Sequence, residues 1–256
     1  MTTKPFIPFD QRPSKLKFIY AGFSKCRTKT FTAACRQLGF KVYDFNEHQI
    51  YNHQGWLKVL DPKYSVDERY EIIYDMYKDV EIAVAQPIYQ YWKEFTIVFP
   101  KCKVIFYERE IKSWAKSGFN QLKILSEQNK IPMEISNFYL RLFSPTVYQC
   151  TLYFKKMAQY NLEQNFYGFY TLLHGRFKVD PFYIERNYRK HNADVRQNCP
   201  KERFFELTKE GFLKFFSFYS RLNLNLNFKQ KTNILTQLQL WQIPQISYPS
   251  RIDLLD

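Results

Sequence analysis

Glycine is scarce in this chain, with seven residues in 256, and none of the common phosphate-loop patterns can be completed. The nucleotide triphosphatase pattern GxxxxGK(S/T), begun at Gly22, requires glycine and lysine where Arg27 and Thr28 stand. The dinucleotide pattern GxGxxG requires a second glycine where Ser24 stands. A phosphatase loop, which pairs a cysteine with a later arginine at fixed spacing, requires arginine where Thr32 stands. These three classes of site are excluded in their usual forms.

Cysteines are also few and widely spaced, which disfavours both a disulfide framework and a zinc site. There are five, with no CxxC pair: Cys26, Cys35, Cys102, Cys150 and Cys199. An odd number at such spacing is typical of a reducing compartment. We therefore expect no metal site and an intracellular protein, located in the cytoplasm or in an organelle such as the mitochondrion.

Long apolar runs are missing as well. No N-terminal stretch resembles a signal peptide, and no apolar run reaches the length of about 18 residues that a membrane span requires. We therefore expect no membrane span. With hydrophobic residues at 45% of 256, the chain can still bury the core of one sizeable domain.

Acidic residues are outnumbered: 24 Asp and Glu against 38 Lys and Arg give a formal net charge of +14. An excess of this size favours an anionic partner, such as a phosphorylated nucleotide, an anionic membrane surface or nucleic acid. The basic residues are scattered and form no long run, which is equally typical of a diffusely charged surface. We expect a small anion together with diffuse charge, and we do not expect nucleic acid.

The segment 17–38 is the most informative part of the sequence that is present. It predicts a short apolar strand, a tight loop and then a helix. The loop and first helical turn carry cations and hydroxyls: Ser24, Lys25, Arg27, Thr28, Lys29 and Thr30. Backbone amides at a helix start, supported by such groups, form a site for a phosphate or a sulfate. Thr28 alone is equally typical of a simple helix cap.

Short apolar runs alternate with helical patterns along the rest of the chain. The predicted strands are 16–20, 40–45, 81–86, 103–108 and 202–207. The predicted helices are 28–38, 66–80, 88–99, one from 112, 181–197 and 209–221, with 133–170 mostly helical. This alternation indicates an α/β domain with a parallel five-stranded sheet flanked by helices. Ligands of such sheets bind at the carboxyl ends of the strands, where the loop after the first strand and Arg109 both lie.

The two ends of the chain differ from this pattern. Residues 1–15 are rich in proline and predict an extended arm. Residues 223–256 mix Gln and Asn with single apolar residues and predict an extended tail. We therefore expect a single domain at 16–222 with extended termini, and we expect those termini to contact other protein subunits.

Several motifs, taken in order, resemble those of the P-loop sulfotransferases, in particular the group known as sulfotransferase family 4. The family loop AGFGRTGTTSL is similar to AGFSKCRTKTF at 21–31. The family motif Arg-Asp-x-x-x-Trp-x-x-Ser is similar to residues 109–117, and Tyr-x-x-His-Asn-x-x-Val is similar to 188–195. The motif Pro-x-x-Arg-Leu-Leu is similar to 200–205. The resemblance covers about 16–218 and implies a P-loop-type, sulfotransferase-like sheet.

The resemblance also implies a ligand, 3'-phosphoadenylyl sulfate (PAPS) or 3',5'-adenosine bisphosphate. Arg109 and Ser117 would hold the 3'-phosphate, and the loop would hold the 5'-phosphosulfate. The full set of implied cofactor-binding residues is Ser24, Arg27, Thr28, Lys29, Thr30, Arg109 and Ser117. Lys25 would stabilise charge on the bridging oxygen, and His53, which matches a family position, would act as base.

Each implied role has an ordinary alternative. Lys25 could be a solvated loop lysine, and Arg109 could form a surface ion pair with Glu108 or Glu110. A lone histidine such as His48 or His53 is more often structural than catalytic. His191, which lies within a predicted helix, suits packing or hydrogen bonding.

Three departures from the family pattern bear on activity. Arg27 stands where the family has glycine, Cys26 replaces a hydroxyl, and Gln86 replaces an acid. They favour a catalytically degenerate accessory subunit of a larger assembly, for example a mitochondrial one, with no cofactor if the site is lost. The alternative is an active PAPS-dependent sulfotransferase acting on a hydroxyl or amine. The sequence leaves open whether the chain is an enzyme.

Overall fold

The chain is described here from a computed structural model. It describes residues 7–128, 144, 148–150, 152–153, 156–157, 169–172, 176–179 and 181–208. The strands are β1 Phe18–Tyr20, β2 Val42–Tyr43, β3 Ile82–Ala83, β4 Lys103–Phe106, β5 Phe169–Leu172, β6 Arg176–Val179 and β7 Phe204–Glu206. The helices are α1 Thr28–Gln37, α2 Phe45–Tyr51, α3 His53–Val59, α4 Val66–Tyr77, α5 Trp92–Val98, α6 Ile111–Gln128 and α7 Pro181–Asn198.

A parallel five-stranded sheet forms the centre of the fold, in the order β2-β3-β1-β4-β7. Ile19 of β1 lies opposite Ala83 of β3 on one side and Val104 of β4 on the other. The chain leaves β1 toward one edge of the sheet and returns to its other side at β4. The carboxyl end of β1 therefore lies at the point where the strand order reverses, the usual ligand position in such sheets.

Side chains of the sheet alternate between two buried clusters, one on each face. Tyr20 and Ile105 belong to the cluster that also contains Phe31 of α1. Ile19 and Val104 belong to the cluster on the other face, together with residues of α3, α4 and α5. Since both faces are covered, the central strands β1 and β3 are apolar and buried along their whole length, as is typical of parallel sheets. The predicted α/β sheet flanked by helices is confirmed.

The N-terminal stretch packs against α4. It contains one 3-10 turn, Phe9–Gln11. Arg12 forms an ion pair with Glu71 at 2.6 Å, and Tyr74 donates its hydroxyl proton to the carbonyl of Pro13 at 2.6 Å. Residues 7–15 thus lie along the domain. The first six residues, the predicted helix at 209–221 and the predicted tail at 223–256 lie outside the described residues.

Two of the predicted helical regions differ from the structure. The predicted helix at 88–99 begins only at Trp92, because residues 87–91 form turns after the positive φ of 66° at Ala85 ends the strand. The predicted mostly helical region 133–170 lies mainly outside the described residues. Its last two residues belong instead to β5, which pairs antiparallel with β6 in a separate two-stranded sheet.

Candidate anion-binding site

The loop between β1 and α1 keeps a backbone that glycine ordinarily provides. Lys25 has a φ of 69°, and Arg27, the residue before α1, lies in the left-handed region at φ 61° and ψ 24°. A side chain in that region costs about 1 kcal/mol, which glycine avoids. The glycine-to-arginine departure noted in the sequence has therefore not removed the turn that brings the backbone to the start of α1.

Gly22 is required by packing. A β-carbon there would lie 2.6 Å from Cε1 of Tyr20 and 3.0 Å from the carbonyl oxygen of Tyr107. The loop can therefore leave β1 close against the end of β4 only with glycine at this position. In the sequence, Gly22 is only the first residue of phosphate-loop patterns that the chain does not complete. Nothing in the sequence indicates this close approach of the two strand ends.

Arg109, which follows β4, reaches across to the loop. Its Nη1 donates to the carbonyl of Lys25 at 3.2 Å. Its Nε and Nη2 donate to Oγ of Ser113 at 3.0 and 2.8 Å. The prediction that the loop and Arg109 share one edge of the sheet is confirmed. Ser113, a residue of the quoted motif to which no role was given, orients the guanidinium.

Arg109 does not form the surface ion pair that was its alternative role. Within the described residues, neither the Glu108 nor the Glu110 carboxylate pairs with its guanidinium. Glu108 pairs with Arg196 at 2.5 Å. Glu110 accepts hydrogen bonds from the amides of Lys112 and Ser113 at 2.8 and 2.7 Å, and so caps α6. These amide bonds lower the pKa of Glu110.

Aromatic residues of α6 and α7 support the loop from below. Trp114 donates its indole N–H to the carbonyl of Ser24 at 2.7 Å and stacks on Tyr188 with ring centroids 4.0 Å apart. Phe23 of the loop packs its ring edge-on against both. His191 Nε2 donates to the carbonyl of Ala21 at 2.8 Å, which confirms the predicted hydrogen-bonding role. The loop is thus held by the protein interior on one side.

Positive charge concentrates on the other side. The pKa of Lys25 is lowered, first by burial and then by the charges of Lys29 and Arg109. The guanidinium of Arg27 lies 5.9 Å from the centre of the Tyr107 ring. Cations that disfavour one another's charged forms are stabilised by an anion placed between them. The start of α1 is therefore a place where positive charges lie close together.

The remaining predicted residues are placed as follows. Thr28, Lys29 and Thr30 form the first turn of α1, next to Lys25. Ser117 lies on α6, one turn beyond Ser113, so that both hydroxyls share a face of that helix.

His53 belongs to a different connection of the sheet, at the start of α3. It is buried, and its Nδ1 has no hydrogen-bond partner among the described residues. The structure therefore brings the loop and Arg109 into contact, and it places His53 on a different connection of the sheet.

His48, the other candidate histidine, is structural. It is fully buried; its Nε2 donates to the carbonyl of Val84, and Tyr77 donates its hydroxyl proton to Nδ1, both at 2.8 Å. Trp56 in turn donates to the Tyr77 hydroxyl at 3.0 Å. Burial lowers the pKa of His48 to about 4, so the ring is neutral at pH 7. Its function is to join α2, α4 and the end of β3.

A basic groove of about 460 Å³ lies at the opposite edge of the sheet. Its lining includes Lys15, Lys17, Lys101, Lys103 and Glu81. The Glu81 carboxylate there already binds Lys17 Nζ at 2.6 Å. The groove runs across the amino ends of the strands, where parallel sheets do not ordinarily bind ligands. It accounts for part of the diffuse positive charge.

A family model described as a sulfotransferase domain matches residues 17–218. The chain belongs to the sulfotransferase domain family. A search of curated proteins finds no match. The family match includes the anion-site loop, Arg109 and the whole of α7, so every contact of the site lies within the sulfotransferase domain. In the described part of this domain, no helix has the length and apolar character needed to cross a membrane.

Proposed function

We propose that this sulfotransferase domain binds an adenine nucleotide with anionic groups at both the 5' and 3' positions, as in PAPS or 3',5'-adenosine bisphosphate. The observation that carries the proposal is the hydrogen bond from Arg109 Nη1 to the carbonyl of Lys25. It joins the arginine after β4 to the loop after β1, so that two cationic centres face one edge of the sheet. A ligand with two separated anionic groups suits that arrangement.

The 5' group would bind at the start of α1. The first amides of a helix have no acceptor within the helix itself, and the helix dipole favours negative charge there. Thr28 and Thr30 supply hydroxyls, Lys29 supplies an ammonium, and Ser24 and Arg27 flank the turn. The supporting observation is that the turn keeps its left-handed residue although that residue is arginine.

The 3'-phosphate would bind at Arg109 and Ser117. Three of the guanidinium N–H groups are used by Ser113 and the Lys25 carbonyl. A guanidinium has five, so two have no acceptor among the residues that the structure describes and would bind a phosphate. Ser117 adds a hydroxyl one helical turn from Ser113.

Isothermal titration with 3',5'-adenosine bisphosphate and with 5'-AMP tests this proposal. We expect the bisphosphate to bind about tenfold more tightly or better, because the second phosphate meets a charged, oriented guanidinium. Arg109→Gln should remove that preference, whereas Arg189→Gln, at an exposed position of α7, should retain it. Absence of binding at millimolar bisphosphate would rule the proposal out.

We further propose that the chain acts as an accessory subunit of a larger assembly, for example an organellar one, rather than as a competent transferase. The supporting observations are Arg27 at the glycine position, and His53 on a connection separate from the loop. The Cys26 thiol is buried against Tyr188, where it offers a ligand no hydroxyl. The partners would be protein subunits contacting the terminal segments. A monodisperse monomer with fast amide exchange across 223–256 would contradict this role.

Sulfuryl transfer to a hydroxyl or amine is the second candidate. Lys25 favours it, because its lowered pKa makes it a better proton donor to a bridging oxygen than an ordinary lysine. His53, whose Nδ1 has no hydrogen-bond partner in the described part of the chain, would accept the acceptor's proton. Transfer of label from sulfur-labelled PAPS to added hydroxyl or amine acceptors decides between the candidates. Transfer abolished by Lys25→Met would establish catalysis.

A further inference from the structure

The contacts of Tyr188 reach both halves of the anion site. This residue lies on α7, is fully buried, and is far in sequence from the loop and from Arg109. We propose that Tyr188 is a positioning residue that fixes the main chain of Arg109 and the underside of the loop, so that the guanidinium meets the 3'-phosphate. The inference rests on the nucleotide binding proposed above.

The Tyr188 hydroxyl holds Arg109 at two points of its main chain. The hydroxyl oxygen accepts the Arg109 N–H at 2.9 Å, and the hydroxyl proton is donated to the Arg109 carbonyl at 2.8 Å. A side chain that binds both polar groups of one residue fixes the orientation of that residue's backbone. The direction in which the guanidinium leaves the end of β4 is therefore set by α7.

The same oxygen contacts the loop. Cys26 Sγ lies 3.5 Å from it. Because the hydroxyl proton is committed to Arg109, the thiol proton is the donor in this contact. Burial raises the pKa of the Cys26 thiol to about 11, which keeps that proton in place. The hydroxyl thus contacts both the main chain of Arg109 and the loop.

The Tyr188 ring holds the loop through Trp114. The two rings are stacked at 18° with centroids 4.0 Å apart, and the indole N–H is donated to the Ser24 carbonyl at 2.7 Å. Replacing the tyrosine by phenylalanine keeps this stack and removes only the hydroxyl. The variant Tyr188→Phe thus separates the fixing of Arg109 from the packing of the loop.

The first measurement is hydrogen exchange at the single backbone amide of Arg109, read by NMR. We expect slow exchange in the unaltered chain and about tenfold faster exchange or more in Tyr188→Phe, because that amide loses its acceptor. Fast exchange at Arg109 in the unaltered chain overturns the proposal without any variant. Equal exchange in the two proteins also overturns it.

The second measurement is the ratio of the dissociation constants of 5'-AMP and 3',5'-adenosine bisphosphate. A mispositioned Arg109 loses contact with the 3'-phosphate only, so Tyr188→Phe should reduce this ratio about tenfold. A purely structural loss would leave the ratio unchanged in the folded protein. An unchanged ratio together with faster exchange therefore overturns the positioning role.

Tyr74→Phe is the matched control. It removes a hydroxyl bound to a main-chain carbonyl, that of Pro13, in the packing of the N-terminal stretch on α4. Its melting temperature should fall comparably, with neither the Arg109 exchange nor the ratio changed. If the unaltered chain binds neither nucleotide, the proposed function fails, and faster Arg109 exchange in Tyr188→Phe still supports the fixing of Arg109.

Discussion

At the residue scale, Arg27 shows that a backbone conformation can persist after the residue that favours it has been replaced. Its φ of 61° is held by the surrounding contacts of the loop, including the 2.5 Å hydrogen bond from the Tyr20 hydroxyl to the carbonyl of Cys26. Sequence alone indicated a changed side chain, and it could not indicate that the turn remains. Nucleotide titration distinguishes an Arg27 side chain that adds a cation to the site from one that fills it. Substitution of Arg27 measures the strain of its backbone.

We expect Arg27→Gly to be more stable than Arg27→Ala by about 1 kcal/mol, because both lose the guanidinium and only alanine keeps a β-carbon at positive φ. Urea unfolding of the two variants measures the difference. A pair of equal stability would show that the left-handed turn is not occupied in solution. Comparison within the pair cancels the loss of the contact with the Tyr107 ring.

Some residues of the candidate site can be recognised in the sequence, and others can be recognised only in the structure. Lys25 and Arg109 were predicted, because their charge and their position after strands are visible in a sequence. Ser113 was visible within a motif, but its bond to the guanidinium depends on which rotamer the arginine adopts. Tyr188 was noted only as part of a motif. Its role could not be predicted, because its contacts join segments that are far apart in sequence and meet only through tertiary packing.

At the element scale, the apolar runs predicted the positions of the strands of the five-stranded sheet, but not their lengths. The run 81–86 contains only the two strand residues Ile82–Ala83, because ladder pairing ends where Ala85 turns to positive φ. The start of α5 was predicted too early for the same reason. The β5–β6 pair was missed: β5 begins at the end of the aromatic-rich region predicted as helical, and no strand was predicted where β6 lies.

The C-terminal end of α5 gives a prediction at this scale. Arg203, just before β7, donates to the carbonyls of Thr96, Phe99 and Cys102, each at 2.9 Å. It binds a carbonyl in the last turn of α5 and two carbonyls just beyond that helix, and so joins the end of α5 to the sheet edge. We expect Arg203→Lys to lower the free energy of unfolding by about 2 kcal/mol, because an ammonium cannot reach three divergent carbonyls.

Arg189→Lys, at an exposed position of α7, is the matched control and should change stability by less than about 0.5 kcal/mol. Guanidinium chloride unfolding followed by circular dichroism provides the measurement. If Arg203→Lys unfolds at the same denaturant concentration as the unaltered chain, the arginine is not what holds the end of α5.

At the scale of the whole molecule, two neutral histidines join distant parts of the fold. His48 binds the carbonyl of Val84 beneath β3, and His191 binds the carbonyl of Ala21 after β1. Burial lowers both pKa values to about 4. Because burial disfavours the charged form of each ring, the stability of the folded domain depends on pH.

Between pH 6.5 and about 4 the unfolded chain binds protons at these two rings and the folded chain does not, so stability should fall as pH falls through this window. Each ring contributes on the order of 3 kcal/mol, fully present above pH 6.5 and lost by about pH 4.

Urea unfolding at pH 7, 6 and 5 measures the slope. The variant His48→Gln, whose amide can still donate to the Val84 carbonyl, should be less stable at pH 7 and should show a slope shallower by about one proton. Carboxylates titrate equally in both proteins and cancel in the comparison. Parallel profiles would mean that His48 is protonated in the folded protein, which is incompatible with a neutral ring accepting the Tyr77 hydroxyl proton.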